Sequence, residues 1–237
     1  IAQVLTFHYL GALVVWRAFP MVLVPHLGVV RTGVLFGLLN AAVAVWALVL
    51  FRHELRALWS HVLACALVIV LLMGAMWGVQ PLTTWAEDHF YGAGVVLRQD
   101  TPYQRIVITQ TQQGTRLFLN GNLQFASRDE HRYHEALVHP AMSAHGAPRR
   151  VLVLGGGDGM AVREVLKYPG VEQVTLVELD PAMTNLFSHE PALVKLNAGS
   201  LQSPKVRIVN TDAFTWLGQN TDVFDVIVVD FPDPTNH

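Results

Sequence analysis

The stretch that decides the fold reads VLVLGGGDG at residues 151–159 and continues as MAVREVLK at residues 160–167. Its four leading apolar residues, two of them β-branched, predict a short buried strand. Four of the next five residues are glycine, so the backbone can turn sharply and lie close to a ligand. Apolar residues then recur at helical spacing. This order predicts an α/β fold whose Rossmann-like parallel sheet binds a nucleotide or nucleoside.

The glycine loop differs in its chemistry from the dinucleotide-binding pattern. Gly155 begins a G-x-G sequence, but Met160 stands where the pattern ends in Gly or Ala. Asp158 also places a carboxylate where a pyrophosphate needs backbone N–H groups. A carboxylate suits a ligand that carries a positive charge and no phosphate. A loop that is rich in glycine for packing alone is the alternative that this stretch leaves open.

Composition divides the chain into two parts. Hydrophobic residues make up 52% of the 237 residues and charged residues only 14%, against roughly 25% charged in an average soluble domain. The deficit is concentrated in residues 5–79, which hold five charged side chains. Net charge is −2 and no basic run is present, which argues against a nucleic acid partner. A single cysteine excludes a disulfide within the chain.

Two uncharged runs, residues 32–51 and 62–79, have the length of membrane-spanning helices. Residues 5–24 contain Arg17 and Pro20 and predict a kinked or terminal third span. A buried pair of soluble helices is the alternative. We expect a multi-pass protein of the cell membrane, although the Lys and Arg count of the loops does not decide its orientation.

The remaining chain predicts a linker, a small β meander and the parallel sheet. The linker, with at most one short strand, covers residues 80–103. Ser127 and Glu130 fit a capping box that begins a helix ending near Met142. Pro181 suits the first turn of a later helix, and a short helix is expected at 213–217. Strands are predicted at residues 104–111, 115–119, 122–125, 173–177, 206–209 and 226–229, with a hairpin turn at Asn120-Gly121.

Three segments follow from these elements. Residues 1–79 are expected to form the transmembrane helices, and residues 80–145 the linker, meander and helix. Residues 146–237 are expected to form the Rossmann-like domain that binds the nucleotide or nucleoside ligand. Because the chain starts without Met and stops just after a predicted strand, we also expect a fragment cut at both ends.

Acidic residues follow successive predicted strands. Glu178 lies 23 residues after Gly155, near the spacing at which an acid binds ribose hydroxyls. Asp212 follows the next strand, where it can accept a hydrogen bond from an adenine amino group. Each alone is equally consistent with a helix cap or a turn. Together they favour a nucleoside pocket, because ligands bind at the carboxyl ends of such strands.

Asp230 and Asp233 flank a proline-stiffened loop after the last predicted strand. Two carboxylates suit a cationic amine, and one of them can take its proton so that the nitrogen can attack. A rigid turn with solvated acids is the alternative. His134, with Glu135 and nearby histidines, suggests a metal cluster, but adjacent residues cannot share a helix face. Because a second ligand set is also missing, we predict no metal site.

Eight segments in this order resemble the polyamine aminopropyltransferases, the spermidine synthase family, and most closely their membrane-anchored bacterial form. The resemblance covers about residues 100–237. The segments are YQRI at 103–106, LNGNLQ at 119–124, DEHRYHE at 129–135, GGGDG at 155–159, REVL at 163–166, VELD at 177–180, DA at 212–213 and DFPDP at 230–234.

The resemblance implies a reaction without a further cofactor. Putrescine would displace the sulfonium of decarboxylated S-adenosylmethionine directly, giving spermidine and 5′-methylthioadenosine. Alignment of the reactants and deprotonation of the amine would supply the catalysis. The catalytic domain would lie in the cytoplasm, where the donor is found, and a homodimer is compatible with the resemblance.

Site residues are carried over by the same resemblance. Tyr133 and Asp230 would position and deprotonate the amine. The amine site would further include Gln124, His134 and Asp233. The donor would be bound by Gln104, Gly155, Gly157, Asp158 at the aminopropyl end, Glu178 at the ribose, and Asp212 with Ala213 at the adenine.

The chain departs from the family pattern in three places, of which the last lies in the active-site loop and bears on amine specificity. Asn120 replaces a common aspartate, Met160 a glycine, and Phe231-Pro232 two small serines. Two further functions remain open. An S-adenosylmethionine methyltransferase would place the donor carboxylate beside Asp158, an unfavourable pairing of like charges. A non-catalytic polyamine sensor or transport partner would keep the pocket and signal through its membrane part.

Overall fold

The computed structural model describes residues 2–55, 57–92 and 94–231. The chain divides into two compact units, residues 1–93 and 94–237. The described residues of the first unit form helices and the short turns that join them, and the second unit contains two four-stranded sheets with their helices.

Three helices form the first unit: α1 (Ala2–Ala18), α2 (Val24–Leu50) and α3 (Leu58–Tyr91). A π-helical turn at Phe19–Leu23 joins α1 to α2 and contains Pro20, so the regular helix is interrupted inside the predicted span. A second break lies at Gly28, whose φ of 76° no regular helix has. The helix pair α2 and α3 packs closely where Gly37 faces Leu72.

The linker predicted from residue 80 was wrong for its first part. Helix α3 continues through Pro81 to Tyr91, beyond the predicted end at residue 79. A proline inside a helix removes one hydrogen bond and disturbs one turn. The helical bonds of the following ten residues outweigh that local loss.

The second unit opens with an antiparallel sheet in the order β1-β2-β3-β4. Its strands are β1 (Val95–Asp100), β2 (Arg105–Thr111), β3 (Gly114–Leu119) and β4 (Asn122–Ala126). The three predicted strands are confirmed, and β1 is the short strand expected within the linker. Asn120 and Gly121 both have positive φ, 51° and 86°, as the predicted two-residue hairpin requires.

The capping box predicted for helix α4 (Glu130–His145) was wrong. The hydroxyl of Ser127 instead accepts a hydrogen bond from the Thr115 backbone N–H at 3.0 Å, and Asp129 is the residue at the N-cap. The carboxylate of Glu130 binds Arg163 and His134. The helix also ends three residues later than predicted.

The second sheet is parallel in the order β7-β6-β5-β8. The chain adds strands on one side of β5 and then crosses to its other side for β8, which makes a topological switch point at β5. The strands and helices are β5 (Arg150–Gly155), α5 (Met160–Leu166), β6 (Gln173–Glu178), α6 (Pro181–His189), α7 (Pro191–Leu196), β7 (Val206–Asn210), α8 (Ala213–Gln219) and β8 (Val226–Asp230).

One hydrophobic core joins the meander to the parallel sheet. Ile106 and Leu117 from the meander belong to the same buried cluster as Val153 of β5. Phe125 packs edge to face against Phe187 of α6 with ring centroids 6.1 Å apart. Because this core is continuous, the predicted boundary at residue 146 does not separate two independently packed bodies.

Asn197→Ala is expected to destabilise this core by about 2 kcal/mol. The buried amide of Asn197 donates at 2.9 Å to two backbone carbonyls, of Asp158 and Phe187, and the substitution leaves both without this donor. Urea unfolding of the full-length protein, followed by near-ultraviolet circular dichroism, measures the change. Asn185→Ala, at an exposed position of α6, is the matched control and should leave stability unchanged. Equal unfolding midpoints for the two variants would contradict the prediction.

Candidate active site

A cleft of about 890 Å³ lies between the meander and the carboxyl ends of the parallel strands. Asp233 lies outside the described residues. The cleft brings together all the other residues predicted for the site: Gln104, Gln124, Tyr133, His134, Gly155, Gly157, Asp158, Glu178, Asp212, Ala213 and Asp230.

The glycine loop fits closely against the acidic residues of the site. A Cβ on Gly155, which has φ 78°, would lie 2.2 Å from the Asp230 backbone oxygen. A Cβ on Gly156 would lie 2.7 Å from the Asp230 carboxylate, and one on Gly157 2.7 Å from the Glu178 side chain. No side chain fits at such distances. The glycines therefore allow two carboxylates to approach the loop, as well as leaving room for a ligand.

Asp158 is buried at the start of α5. Its Oδ1 accepts a hydrogen bond from the Met160 backbone N–H at 2.9 Å, and the side chain is only 8% exposed. Burial raises the pKa of Asp158 to about 6, and the neighbouring charge of Asp230 adds to the shift. A cation bound beside Asp158 would favour its ionised form.

Glu178 lies at the end of β6 and is held by backbone donors. Its two carboxylate oxygens accept from the N–H groups of Gly157 at 3.0 Å and Asp180 at 2.9 Å. Burial raises its pKa, and these two hydrogen bonds oppose the shift. The fixed carboxylate has remaining lone pairs for the hydroxyls of a ribose.

Asp230 ends β8 opposite Gly155 in the parallel register. Its Oδ1 accepts a hydrogen bond from the Tyr133 hydroxyl at 2.9 Å. Burial raises the pKa of Asp230, while His134 and the Tyr133 hydroxyl lower it. Tyr133 itself is half-exposed at the cleft, so the pair presents a held carboxylate to a substrate that enters from solvent.

His134 is buried between the two acids and the start of α4. One of its ring nitrogens lies within 4.8 Å of carboxylate oxygens of both Asp158 and Asp230. Its Nδ1 lies 2.9 Å from Glu130 Oε2. Glu135 is the next residue but faces away, towards His139 and Glu164. The expectation that His134 and Glu135 do not share a helix face is confirmed within the described chain.

Asp180 is a site residue that the sequence analysis left unassigned. Its Oδ2 accepts from the Thr101 hydroxyl at 2.8 Å and the Gln104 amide at 2.9 Å, and its Oδ1 caps α6 through Ala182 N–H. Gln104 is therefore oriented by Asp180 towards the cleft. Only the cap was visible in the sequence, as an acid before Pro181.

Asp212 caps α8 in the structure. Its Oδ1 accepts from the Thr215 backbone N–H at 2.7 Å, which lowers the pKa of the exposed carboxylate. The adjoining Ala213 is buried, and Phe214 beyond it stacks with Phe231 at 6.4 Å between ring centroids. The Asp212 side chain therefore caps α8 and lines the cleft at the same time. Phe214 and Phe231 supply an apolar wall of the cleft that was not predicted from the sequence.

The meander side of the cleft is uncharged over its described residues. Gln124 is half-buried there, beside Leu119 and Leu123. Asn120, which departs from the family pattern, uses its side-chain oxygen to accept from the Arg105 backbone N–H at 2.9 Å. The cleft therefore combines an acidic floor at the sheet with an apolar and amide-lined roof.

The fold and the cleft define a class: Rossmann-like domains with an acidic cleft at a topological switch point of the parallel sheet. Residues 130–237 match the family model described as the spermine/spermidine synthase domain. The whole chain is 52% identical to polyamine aminopropyltransferase 2 of Ralstonia nicotianae, over 100% of this chain and 47% of that protein. It is 48% identical to the polyamine aminopropyltransferase of Leptospira interrogans, with coverage of 100% and 47%. The chain thus spans about half the length of the curated relatives it matches.

Two solved structures are also similar. A spermidine synthase in complex with the transition state analogue AdoDATO is 33% identical, with a TM-score of 0.56 over 60% of this chain and 48% of that chain. The spermidine synthase from Thermotoga maritima is 32% identical, with a TM-score of 0.54 over 58% and 47%. These comparisons strongly support the spermidine synthase family of polyamine aminopropyltransferases, and they support the predicted Rossmann-like α/β fold.

Asp158→Asn is expected to stabilise the protein at about pH 8 by about 1–3 kcal/mol. Because burial raises the carboxyl pKa from 3.8 to about 6, the ionised form destabilises the fold above about pH 6. This destabilisation disappears as the pH falls towards 3.8. Urea unfolding at several pH values measures the difference from the wild type.

Asp212→Asn is the matched control for this prediction. Its carboxyl pKa is lowered by Thr215, so the substitution should destabilise the fold near neutral pH instead. A variant Asp158→Asn that is less stable than the wild type at about pH 8 would contradict the expected sign.

Proposed function

We propose that the protein is a polyamine aminopropyltransferase. It moves the aminopropyl group of decarboxylated S-adenosylmethionine to putrescine and releases spermidine and 5′-methylthioadenosine. The observation that carries this proposal is the pair of the buried Asp158 and the half-buried Asp230 in one cleft, with Tyr133 hydrogen-bonded to Asp230. Two acids with raised pKa suit two substrates that are both cationic.

The donor is expected along the carboxyl edge of the parallel sheet. Glu178 binds the ribose hydroxyls, and Asp212 with Ala213 binds the adenine beside Phe214. Asp158 then lies at the aminopropyl end, where its charge complements the donor's ammonium. A donor that retained its carboxylate would place like charges at this buried position, which favours the decarboxylated form over ordinary S-adenosylmethionine.

Asp230 is proposed as the base for the acceptor amine. The ammonium of putrescine transfers one proton to the carboxylate, and the neutral nitrogen then attacks the methylene next to the sulfonium. The carbon–sulfur bond breaks as the carbon–nitrogen bond forms, and both electrons leave with sulfur in 5′-methylthioadenosine. Tyr133 holds the carboxylate in place through its hydroxyl, which aligns base and amine.

Full-length protein should release 5′-methylthioadenosine when supplied with putrescine and decarboxylated S-adenosylmethionine. Asp230→Asn should lower kcat by about 10²–10⁴-fold, the usual contribution of a general base. Tyr133→Phe should lower it about tenfold through loss of a hydrogen bond to a charged group. Product chromatography under saturating substrates measures both effects.

Asp222→Asn is the control for these variants, because Asp222 is exposed and lies 3.7 Å from Arg150, outside the cleft lining. It should keep wild-type kcat. Absence of product with every common diamine would exclude aminopropyl transfer. Tighter binding of S-adenosylmethionine and a methylated product would favour a methyltransferase. If Asp230→Asn altered only amine affinity, a sensor would be favoured.

We further propose that the protein is a membrane-anchored form, with several spans and the catalytic domain in the cytoplasm. Three helices are long and apolar enough to cross a membrane by length and composition: Leu5–Leu23, Val30–Leu50 and Leu58–Val79. Only 0–6% of each span is buried within the protein. Apolar surface of this extent is stable when lipid covers it.

Val68→Arg with Leu71→Arg should reduce the fraction of protein that stays in membranes after alkaline extraction. Both side chains are exposed in the third span, and each arginine is expected to oppose insertion by roughly 3 kcal/mol. Val96→Arg with Val223→Arg, exposed outside the candidate spans, is the matched control. Complete extraction of the unmodified protein in alkaline buffer would exclude membrane insertion.

A further inference from the structure

A further set of charged residues is connected to Asp158 and Asp230 through His134. Arg163 Nη1 and Nη2 donate to the two carboxylate oxygens of Glu130, each at 2.9 Å. Arg163 is itself fixed by the Glu164 carboxylate at 2.9 Å and the Leu196 carbonyl at 2.7 Å. Glu130 is thus an oriented carboxylate at the first turn of α4, held in an ion pair with an arginine 33 residues away in sequence.

Glu130 in turn determines the state of His134. Nδ1 of His134 lies 2.8 Å from the Glu130 carbonyl oxygen and 2.9 Å from its carboxylate Oε2. Both partners are acceptors, so Nδ1 carries a hydrogen. Nε2 is then the ring nitrogen that remains for Asp158 and Asp230. This chain of contacts runs from Arg163 through Glu130 and His134 to the two acids of the cleft.

We propose that Glu130 and Arg163 are positioning residues that hold His134 as a cation beside Asp158 and Asp230 and thereby keep both carboxylates ionised for catalysis. The inference rests on the proposed aminopropyl transfer, because it assigns these residues a part in the same reaction. A neutral His134 would leave two like charges close together in the cleft, and one of them would take up a proton.

Other groups around this cluster do not replace the contribution of Glu130. Asp158 faces Asp230, His134 and the carboxylate of Glu178. Asp230 faces His134 and the Tyr133 hydroxyl. The side chain of Glu130 faces Arg163 and His134. Among these described residues, His134 is therefore the basic side chain that faces both acids.

Glu130→Gln removes the carboxylate while keeping nearly the same shape. The acid limb of the kcat/KM profile should move up by about one pH unit, because the acids then stay protonated to higher pH. At high pH the rate should return to within about twofold of the wild type. A variant that merely damaged the fold would lose activity at every pH.

Glu135→Gln is the matched control on the same helix. Glu135 is exposed and lies 3.9 Å from Lys167, outside the chain of contacts, so its pH profile should coincide with that of the wild type. Arg163→Lys keeps the charge but loses the two-pronged contact with Glu130. It should shift the acid limb in the same direction by a smaller amount, and it provides a test if Glu130→Gln does not fold.

A double variant separates action through His134 from an independent effect. If Glu130 acts through His134, Glu130→Gln combined with His134→Gln should have the same acid limb as His134→Gln alone. Additive shifts, or an unshifted profile in both Glu130→Gln and Arg163→Lys, would overturn the inference.

Calorimetric titration with putrescine at each pH keeps this inference distinct from the proposed function. Binding of the diamine needs ionised acids but no turnover, so the pH below which binding is lost should rise in Glu130→Gln by the same amount as the acid limb. If the wild type turned over normally and the binding profile of Glu130→Gln were unshifted, the inference would be wrong and the proposed function would stand. A wild-type protein without turnover would instead count against the proposed function.

Discussion

The site depends on one constraint: a buried carboxylate and a half-buried one lie close together at the carboxyl edge of the parallel sheet. Asp158 comes from the glycine loop and Asp230 from the end of β8, and burial is the first cause of the raised pKa of each. Water would solvate such charges far better than a protein interior does. The fold therefore surrounds them with donors: a backbone N–H at Met160, a hydroxyl at Tyr133 and the ring of His134. The charge that these donors leave unbalanced is negative, so the cleft suits positively charged ligands.

Backbone geometry makes this arrangement accessible. The parallel register sets Gly155 opposite Asp230. Gly155 and Gly156 have positive φ, and a Cβ on either residue would collide with Asp230. A Cβ on Gly157 would likewise collide with the Glu178 side chain. A sequence of glycines that looks like a phosphate cradle thus serves here to bring carboxylates together. The chemistry of the loop is decided by its neighbours across the sheet rather than by its own amide groups.

Local patterns predicted most of the fold and the acids that meet in the cleft, whereas Gln104, Gln124, Tyr133 and His134 were predicted from the family resemblance. Alternating apolar strands and helices placed β5 to β8, and the acids that follow them lie in one cleft because parallel strands end at one edge. Predictions were wrong where a distant partner decides. Ser127 and Glu130 fit a capping box by spacing, but Glu130 binds an arginine 33 residues away. Asp180 was not assigned to the site, because its partners Thr101 and Gln104 lie 79 and 76 residues away. The predicted end of helix α3 at residue 79 was wrong because rules that treat a proline as a helix breaker ignore the stability of the turns that follow Pro81.

Asp180 has a consequence for how this architecture can change. Its two carboxylate oxygens connect the loop before β2 to the first turn of α6, so the meander and the parallel sheet complete a single pocket wall. Neither half can be exchanged for that of another protein without carrying its side of this junction. The meander and the parallel sheet are therefore coupled at this wall, and changes in what the cleft binds are expected to arise by substitution of the roof residues rather than by replacement of the whole meander.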